Sequence, residues 1–245
     1  MARIIILQKA ISVMRLISLQ KKIGNGTLEL SGCPLKCRYC GHASFPRTDS
    51  SYDKTLAFLS DSLLNKVYIG GAEPMMQKKE VINLIRDLKR RGKEVTLKTT
   101  GSDPMALKET VGFVYRYVIE IKGPLEDVAL HQRLTQLSEE ETRSYLGALR
   151  ESLEILKGQK VRVLLRIIPG FATDESVDRL GRQLQGYADE ANLVQFMSTK
   201  YDLPFEGIST PSPDVKAMTH YGEILLRYIP FVHLQGNGLD GVLRA

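Results

Sequence analysis

The chain has 245 residues, of which 43% are apolar, and this is enough to bury a full hydrophobic core. Its longest apolar run near the N-terminus, residues 4–7, is far shorter than the roughly 18 residues of a membrane span, so we expect a soluble, cytoplasmic protein. The net charge of +6 comes from basic residues spread along the chain, which indicates a solvated surface and is weak evidence for an anionic partner.

Short β-rich runs alternate along the chain with longer runs of helical period. This alternation is typical of βα units that build a parallel sheet. We predict strands at residues 27–30, 67–70, 94–99, 117–122, 161–168 and 193–197. Between them we predict helices at residues 52–64, 78–91, 138–157, 174–188 and 214–228. These make about six βα units, which we expect to form a single domain over residues 1–245.

All three cysteines of the chain, Cys33, Cys37 and Cys40, lie within the stretch GCPLKCRYC, directly after the first predicted strand. This C-x3-C-x2-C spacing puts three thiols on one tight loop, where they can converge on one inorganic centre. Three cysteines cannot all pair, so a disulfide framework is a poor interpretation. Structural zinc needs four protein ligands, and the fourth is missing unless His42 serves. A four-iron cluster bound by three cysteines leaves one iron open for a substrate or cofactor, and we favour this interpretation.

The stretch CPLKCRYC resembles the C-x3-C-x-aromatic-C loop of the radical S-adenosylmethionine superfamily. Its surroundings look most like the glycyl-radical-enzyme activases, typified by pyruvate formate-lyase activating enzyme. The resemblance continues through GGAEPMMQ, TLKTTGS, VIEIKGP and VLLRIIPGFATDESVDRLGRQL, which follow the family's order and spacing, so it covers most of the chain. It implies an α/β fold, a partial (β/α)6 TIM-like barrel of the radical SAM type, with the cluster and cofactor at the C-terminal ends of the strands.

The resemblance also implies an enzyme mechanism. Cys33, Cys37 and Cys40 are then the metal ligands of a [4Fe-4S] cluster at the catalytic centre, and the open iron chelates S-adenosylmethionine. An electron from a donor such as ferredoxin or flavodoxin cleaves S-adenosylmethionine to methionine and a 5'-deoxyadenosyl radical, which abstracts a hydrogen atom from the substrate. Tyr39 matches the aromatic residue that packs near the adenine, although the side chain by itself is equally typical of a loop anchor.

Two later motifs supply further cofactor contacts by the same resemblance. In IGGAEP, the residues Gly71, Ala72 and Glu73 match the family's Gly-Gly-Glu motif, whose backbone groups contact the methionyl ammonium. Small residues are needed where the backbone approaches a ligand, and Ala72 departs from the motif by replacing a glycine. In VRVLLRIIPG, Arg166 coincides with the family arginine near the cofactor, and Ile168 with the apolar residue beside the adenine.

Two strand ends depart from the activases, which have Asp-Thr-Asn and Asp-x-Lys there and use the aspartates to hold a monovalent cation near the cofactor carboxylate. This chain has Lys98 and Thr99 in the first motif, and Glu120 and Lys122 in the second. A lysine cannot ligate a cation, so we expect the Lys98 ammonium to take its place and to neutralise Glu120 and the cofactor carboxylate. The alternative is that Lys98 is an outward surface charge.

Three kinds of function are compatible with these motifs. The first is activation of a protein partner by hydrogen abstraction from a backbone glycine. The second is modification of a small molecule, such as a deazapurine or cofactor precursor, because GGAEPMMQ also resembles the deazapurine-forming branch. The third is a non-enzymatic zinc or cluster-binding module, which is disfavoured because such a module does not need the later strand-end motifs. We expect no membrane or nucleic-acid partner, since no aromatic and basic residues interleave.

Two smaller expectations concern charged and polar residues. The four histidines show no ligand spacing among themselves, so we expect them to be ordinary structural residues. Arg162 shares the strand parity of Arg166, and the position of the following Pro-Gly pair favours Arg166 as the inward residue.

Overall fold

The structure, a computed structural model, describes residues 12–245, and the strands of this part form one sheet. The strands are β1 (Val13–Lys22), β2 (Gly24–Leu30), β3 (Thr48–Ser51), β4 (Leu64–Gly71), β5 (Glu94–Thr99), β6 (Arg116–Ile121), β7 (Val161–Ile167), β8 (Glu190–Gln195), β9 (Phe231–Gly236) and β10 (Leu239–Arg244). Their order across the sheet is β10-β9-β8-β7-β6-β5-β4-β2-β1-β3.

Helices connect the parallel strands. They are α1 (Tyr52–Leu59), α2 (Lys78–Arg90), α3 (Pro104–Lys108), α4 (Val128–Thr135), α5 (Glu139–Ile155), α6 (Asp174–Leu184) and α7 (Val215–Leu226), and two short 3₁₀ helices cover Gly41–Ser44 and Pro74–Gln77. Strand β2 and the strands from β4 to β9 run parallel, whereas β1, β3 and β10 pair antiparallel at the two edges. The sheet is therefore a row of parallel βα units whose C-terminal ends share one rim.

The alternation of side chains along the strands separates the hydrophobic core from the rim. In β7, Val161, Val163, Leu165 and Ile167 are buried and belong to the main core, whereas Arg162 and Arg166 lie on the opposite face. Because side chains alternate along a strand, polar residues on this opposite face gather on the concave side of the sheet. Lys98 of β5, Glu120 of β6 and Arg166 of β7 lie on this side.

The parallel sheet and the partial barrel predicted from the sequence are confirmed. The six predicted strands are present, with β2, β4 and β8 each beginning three residues earlier than predicted. The first predicted helix ends at Leu59 because β4 starts at Leu64. Four strands at the sheet edges were not predicted, since their pairing partners rather than their own pattern fix them; they are β1, β3, β9 and β10. Helices α3 and α4 were also not predicted, since both are short.

None of the helices in residues 12–245 combines the length and the apolar content that a bilayer crossing requires. The apolar run at residues 4–7, on which the sequence argument against a membrane span was based, lies outside the described residues.

Opposite charges connect three neighbouring strands at the rim. The Glu120 carboxylate on β6 lies 2.6 Å from Lys98 Nζ on β5, 2.8 Å from Lys122 Nζ and 3.6 Å from Arg166 Nη1 on β7. Arg166 Nε lies 2.9 Å from Asp202 Oδ1, at ion-pair distance, although its N–H does not point at that oxygen. Burial alone would raise the pKa of Glu120, but the three cations outweigh it and hold that pKa well below its usual range.

The end of β4 approaches the backbone of β2 very closely. Gly71 has a φ of +106°, and a Cβ atom at this position would lie 2.5 Å from both the N and the O of Leu30. The next amide, Ala72 N, donates a hydrogen bond to Leu30 O at 3.0 Å. Only glycine fits here, so the IGGAEP turn has a structural requirement at Gly71 that is independent of any ligand.

Replacing this glycine tests the close approach. We expect Gly71→Ala to lower the free energy of unfolding by clearly more than the about 1–2 kcal/mol that a left-handed backbone costs a non-glycine residue. The matched control is Gly112→Ala, whose φ is +84° but whose Cβ would meet no atom within 4 Å. Urea unfolding of both variants at constant m-value measures the difference, and equal losses would contradict the steric argument.

Removing the Glu120 charge tests the ion cluster. We expect Glu120→Gln to cost about 3–5 kcal/mol, because it removes the carboxylate that three buried cations share, and among them Asp202 pairs with Arg166 alone. Since the folded pKa of Glu120 lies below its ordinary value of 4.5, its stabilisation is present above about pH 4.5 and is lost as the pH falls below that value.

Unfolding curves recorded from pH 7 down to pH 3 measure both effects. The variant lacks the part of the acid-induced loss that Glu120 causes in the parent protein. Glu139→Gln, which removes an exposed pairing with Arg143, serves as the control and should cost about 0–1 kcal/mol. A Glu120→Gln loss no larger than that of the control would contradict the analysis.

Candidate functional site

The cysteine loop follows β2 at the rim and is held on one side by α4. Lys36 N donates to Thr135 O at 3.1 Å, and Arg38 N donates to Leu134 O at 3.2 Å. These bonds satisfy carbonyl groups at the C-terminal end of α4, which have no partner inside the helix. These two bonds fix the backbone of the loop relative to the barrel without the help of a metal.

On its other side the loop contacts the segment that connects β8 to α7, residues 196–214, which we call the strap. Gly41 N donates to Tyr201 O at 2.7 Å, and Leu203 N donates to Tyr39 O at 2.9 Å. Cys40 and Asp202 form an isolated antiparallel bridge between these two bonds. Sequence analysis did not identify this contact, because the two segments are about 160 residues apart.

A cavity of about 410 Å³ lies between the cysteine loop and the strand ends. Nine residues that the sequence predicted for the site line it: Cys33, Cys37, Tyr39, Cys40, Gly71, Ala72, Glu120, Lys122 and Arg166. Residues that were not predicted also line it, among them His42, Arg47, Thr100 and Tyr201. The cavity therefore joins the cysteine loop to the ends of β4, β6 and β7.

Four predicted contact residues lie around the cavity without lining it. Glu73 is fully buried, and its carboxylate accepts hydrogen bonds from Thr99 Oγ1 at 2.7 Å, from Thr100 N at 2.6 Å and from Met75 N at 3.0 Å. The side chains of Glu73 and Thr99 thus bind each other and join the ends of β4 and β5. Lys98 does not line the cavity, but its ammonium contacts Glu120, which does.

The fourth of these residues, Ile168, lies one layer away from the cavity. It packs in a separate apolar cluster that includes Tyr39, Phe171, Phe196 and Phe205. Ile168 is 2% exposed and does not line the cavity, whereas Tyr39 of the same apolar cluster does. In the same strand region, Arg162 pairs with Glu190 at the opposite end of the barrel, so Arg166 is the arginine at the rim.

Positive charge predominates in the cavity wall. Lys122 Nζ and the Arg166 guanidinium each lie 5.6 Å from the centroid of the Tyr39 ring. Burial raises the pKa of the Tyr39 phenol, which therefore stays protonated. Burial also raises the pKa of the Cys37 thiol, while the Lys122 ammonium acts in the opposite direction. The Cys37 thiolate gains electrostatic support from that lysine and would gain more from a bound metal.

His42, which we expected to be an ordinary histidine, is part of this site. Its Nδ1 lies 3.1 Å from Cys40 Sγ, and its ring stacks on Tyr201 with centroids 4.0 Å apart and planes 11° apart. Burial is the main cause that lowers the pKa of His42 to about 4, so the imidazole is neutral near pH 7. Its position two residues after the third cysteine was the only sequence signal for this contact.

The arrangement of donors suits a multi-iron cluster better than one ion. Within residues 12–245, no three His, Cys, Asp or Glu side chains come together in the way that a single metal ion requires. Each thiolate of a four-iron cluster binds a different iron, so the three sulfur atoms need not meet at one point. Three cysteines around one cavity with basic residues in its wall fit such a cluster and leave room for a second ligand.

The family model of a 4Fe-4S single cluster domain matches residues 24–143, a span that contains the cysteine loop, β4, β5 and β6. Two proteins of Methanocaldococcus jannaschii that are named as glycyl-radical enzyme activating enzymes are similar over most of the chain. One is 23% identical over 216 residues, covering 85% of this chain and 87% of the relative. The other is 26% identical over 220 residues, covering 87% of this chain and 80% of the relative.

A third relative is similar over a shorter stretch. The 7-carboxy-7-deazaguanine synthase of Methanospirillum hungatei is 36% identical over 80 residues, which are 31% of this chain and 34% of the relative.

Solved structures share the fold. The SuiB protein of Streptococcus suis in complex with the precursor peptide SuiA has a TM-score of 0.64 at 16% identity, covering 83% of this chain and 46% of SuiB. SuiB bound to S-adenosylmethionine has a TM-score of 0.59 at 15% identity, covering 80% of this chain and 45% of SuiB. This chain spans a little less than half the length of SuiB, and the likeness concerns the barrel.

The match to the cluster domain includes the cysteine loop and the strands β4, β5 and β6. The two relatives that align with 85% and 87% of the chain are named as activating enzymes. We conclude that this chain belongs to the radical S-adenosylmethionine enzymes, which use a [4Fe-4S] cluster and S-adenosylmethionine, and that within them it resembles the glycyl-radical enzyme activating enzymes.

Proposed function

We propose that Cys33, Cys37 and Cys40 hold the [4Fe-4S] cluster and that S-adenosylmethionine binds beside it in the 410 Å³ cavity. The observation that carries this proposal is that all three cysteines line the same cavity as the ends of β4, β6 and β7. When bound, the cluster and S-adenosylmethionine supply a one-electron cleavage that produces an organic radical able to abstract hydrogen.

The chain's own residues then bind and shield the cofactor. The backbone at Gly71 and Ala72 offers a surface without bulky side chains, where the methionyl part can approach closely. Arg166 and Lys122 stabilise negative charge on the cluster thiolates and on the cofactor carboxylate. The buried Tyr39 ring separates this part of the cavity from the apolar cluster that contains Ile168.

Lys98 contributes a further positive charge to this group through its ion pair with Glu120. Its side chain is 14% exposed and its ammonium lies 2.6 Å from Glu120, so it is not an outward surface charge. We propose that it substitutes for the monovalent cation that activases hold near this position. Glu73 and Thr99 act as positioning residues, because their mutual hydrogen bond keeps the ends of β4 and β5 together.

The substrate that we propose is a backbone glycine of a partner protein. Relatives named as activating enzymes align with 85% and 87% of this chain, so the similarity includes the strap as well as the cysteine loop. An electron donor such as ferredoxin or flavodoxin completes the reaction system.

A small-molecule substrate of the deazapurine type is the second candidate. It is favoured by the 36% identity to a 7-carboxy-7-deazaguanine synthase, which is higher than the identity to either activating enzyme. That similarity covers 31% of this chain, so the activating role has the broader support.

Iron content and cofactor cleavage test the proposed cluster site. The anaerobically reconstituted protein should bind about four irons and four sulfides per chain, and with dithionite it should slowly release 5'-deoxyadenosine from S-adenosylmethionine. We expect Cys37→Ala to lose both properties, because it removes one thiolate ligand. Met105→Ala, which removes an exposed sulfur on α3, should keep both. Stoichiometric zinc without iron uptake in the parent, or 5'-deoxyadenosine release by Cys37→Ala, would contradict the proposal.

Isotope transfer distinguishes the two substrate classes. A glycyl-radical enzyme encoded beside this chain, prepared with deuterated glycine, should pass deuterium to 5'-deoxyadenosine and acquire a glycyl radical visible by electron paramagnetic resonance. Replacing the receiving glycine by alanine in that partner should abolish both signals. Accumulation of 7-carboxy-7-deazaguanine on expressing this chain in a host that lacks its own synthase, without transfer from the partner protein, would instead establish the second candidate.

A further inference from the structure

The imidazole of His42 lies between a proposed cluster ligand and an aromatic ring from the strap. Its Nδ1 is 3.1 Å from Cys40 Sγ, while its face stacks on Tyr201 at a centroid distance of 4.0 Å. The Tyr201 hydroxyl donates to the Glu29 carboxylate at 2.6 Å, and Ser18 Oγ donates to the same carboxylate at 2.6 Å. The orientation of the imidazole is thus set by contacts that reach back to β1 and β2.

We propose that His42 donates a hydrogen bond from Nδ1 to the Cys40 thiolate and thereby raises the reduction potential of the cluster. This inference rests on the proposed cluster site and concerns a positioning residue, since His42 acts through Cys40. A thiolate accepts hydrogen bonds but cannot donate them, so the contact requires the tautomer that carries its proton on Nδ1.

The direction of the effect follows from electrostatics. Reduction adds one negative charge to the cluster, and part of that charge falls on the thiolate sulfurs. A hydrogen-bond donor at a sulfur stabilises the reduced form more than the oxidised form, so the potential becomes less negative. His42 is well placed for this because its ring is half-buried and the stack on Tyr201 restricts its rotation.

The stack also connects the cluster to the strap. Tyr201 is held by its phenol bond to Glu29 and by the backbone bond between its carbonyl oxygen and Gly41 N, at 2.7 Å. A change in the strap at Tyr201 would therefore alter the direction of the Nδ1–H donor, because the Tyr201 ring stacks on the imidazole. Loss of the Tyr201 hydroxyl alone leaves the ring and the backbone bond in place, so its effect on the reduction potential should be smaller.

Redox titration of the reconstituted proteins, followed by electron paramagnetic resonance without S-adenosylmethionine, tests the inference. We expect His42→Phe to keep the parent's iron and sulfide content, because phenylalanine retains the stack, and to make cluster reduction about tenfold less favourable. For a one-electron couple this lowers the potential by about 59 mV. Tyr201→Phe should shift the potential less in the same direction, and His220→Phe, which removes an exposed histidine on α7, should leave it unchanged.

His42→Gln keeps the protein testable if His42→Phe loads poorly, because its amide retains an N–H donor. A glutamine variant with a full cluster and a potential nearer the parent's supports the inference. An unchanged potential in a fully loaded His42→Phe overturns it while leaving the cluster site intact. Loss of iron from both His42 variants also overturns it, since His42 would then hold the metal itself. A parent protein without any iron-sulfur cluster overturns the proposed site as well.

Discussion

The buried carboxylate of Glu120 is the interaction on which the rim of the barrel depends. It holds Lys98, Lys122 and Arg166 around one point, and these three cations come from the ends of three adjacent strands. Without the carboxylate the cations would repel each other in a region that excludes most water, which would destabilise this part of the sheet. The negative charge of Glu120 therefore stabilises the part of the rim that forms the cavity wall.

The same cluster determines the charge that a ligand meets. Counting Asp202, three cations face two carboxylates, so the group carries a net charge of +1. Because Asp202 belongs to the strap and Arg166 to β7, the ion pair between them also holds the strap over the cysteine loop. Arg166 therefore contributes both to the charge of the cavity wall and to the position of the strap.

The sequence predicted the parts of this protein that depend on local pattern. Alternating β-rich and helical runs predicted the parallel strands, and the spacing of Cys33, Cys37 and Cys40 predicted that the three thiols lie at one cavity. The strap contact was not predictable, because its backbone bonds at Tyr201 and Leu203 join segments with no common pattern. The edge strands β1, β3 and β10 depend in the same way on partners distant from their own pattern.

The polar residues of the site show a second kind of difference between pattern and structure. The motif containing Glu73 matched a cofactor-binding motif, yet the carboxylate is fully buried and its oxygens accept hydrogen bonds from Thr99, Thr100 and Met75. A motif identifies where the backbone turns toward a ligand, but the direction of each side chain depends on which donors lie nearby. His42 illustrates the converse, because a residue without a matching motif contacts a cluster cysteine.

The role that we propose for Lys98 replaces an exchangeable cation of the family by a charge of the chain itself. An exchangeable cation and a lysine ammonium supply the same charge, but the ammonium is attached to β5 and lies 2.6 Å from Glu120 whatever the ionic composition of the solution. The attachment removes the entropy cost of capturing an ion and introduces a hydrogen-bond geometry that a bare cation lacks. In the site that we propose, this positive charge is in place before the cofactor arrives, and cofactor affinity would depend on the fold of β5 and β6 rather than on the concentration of a salt.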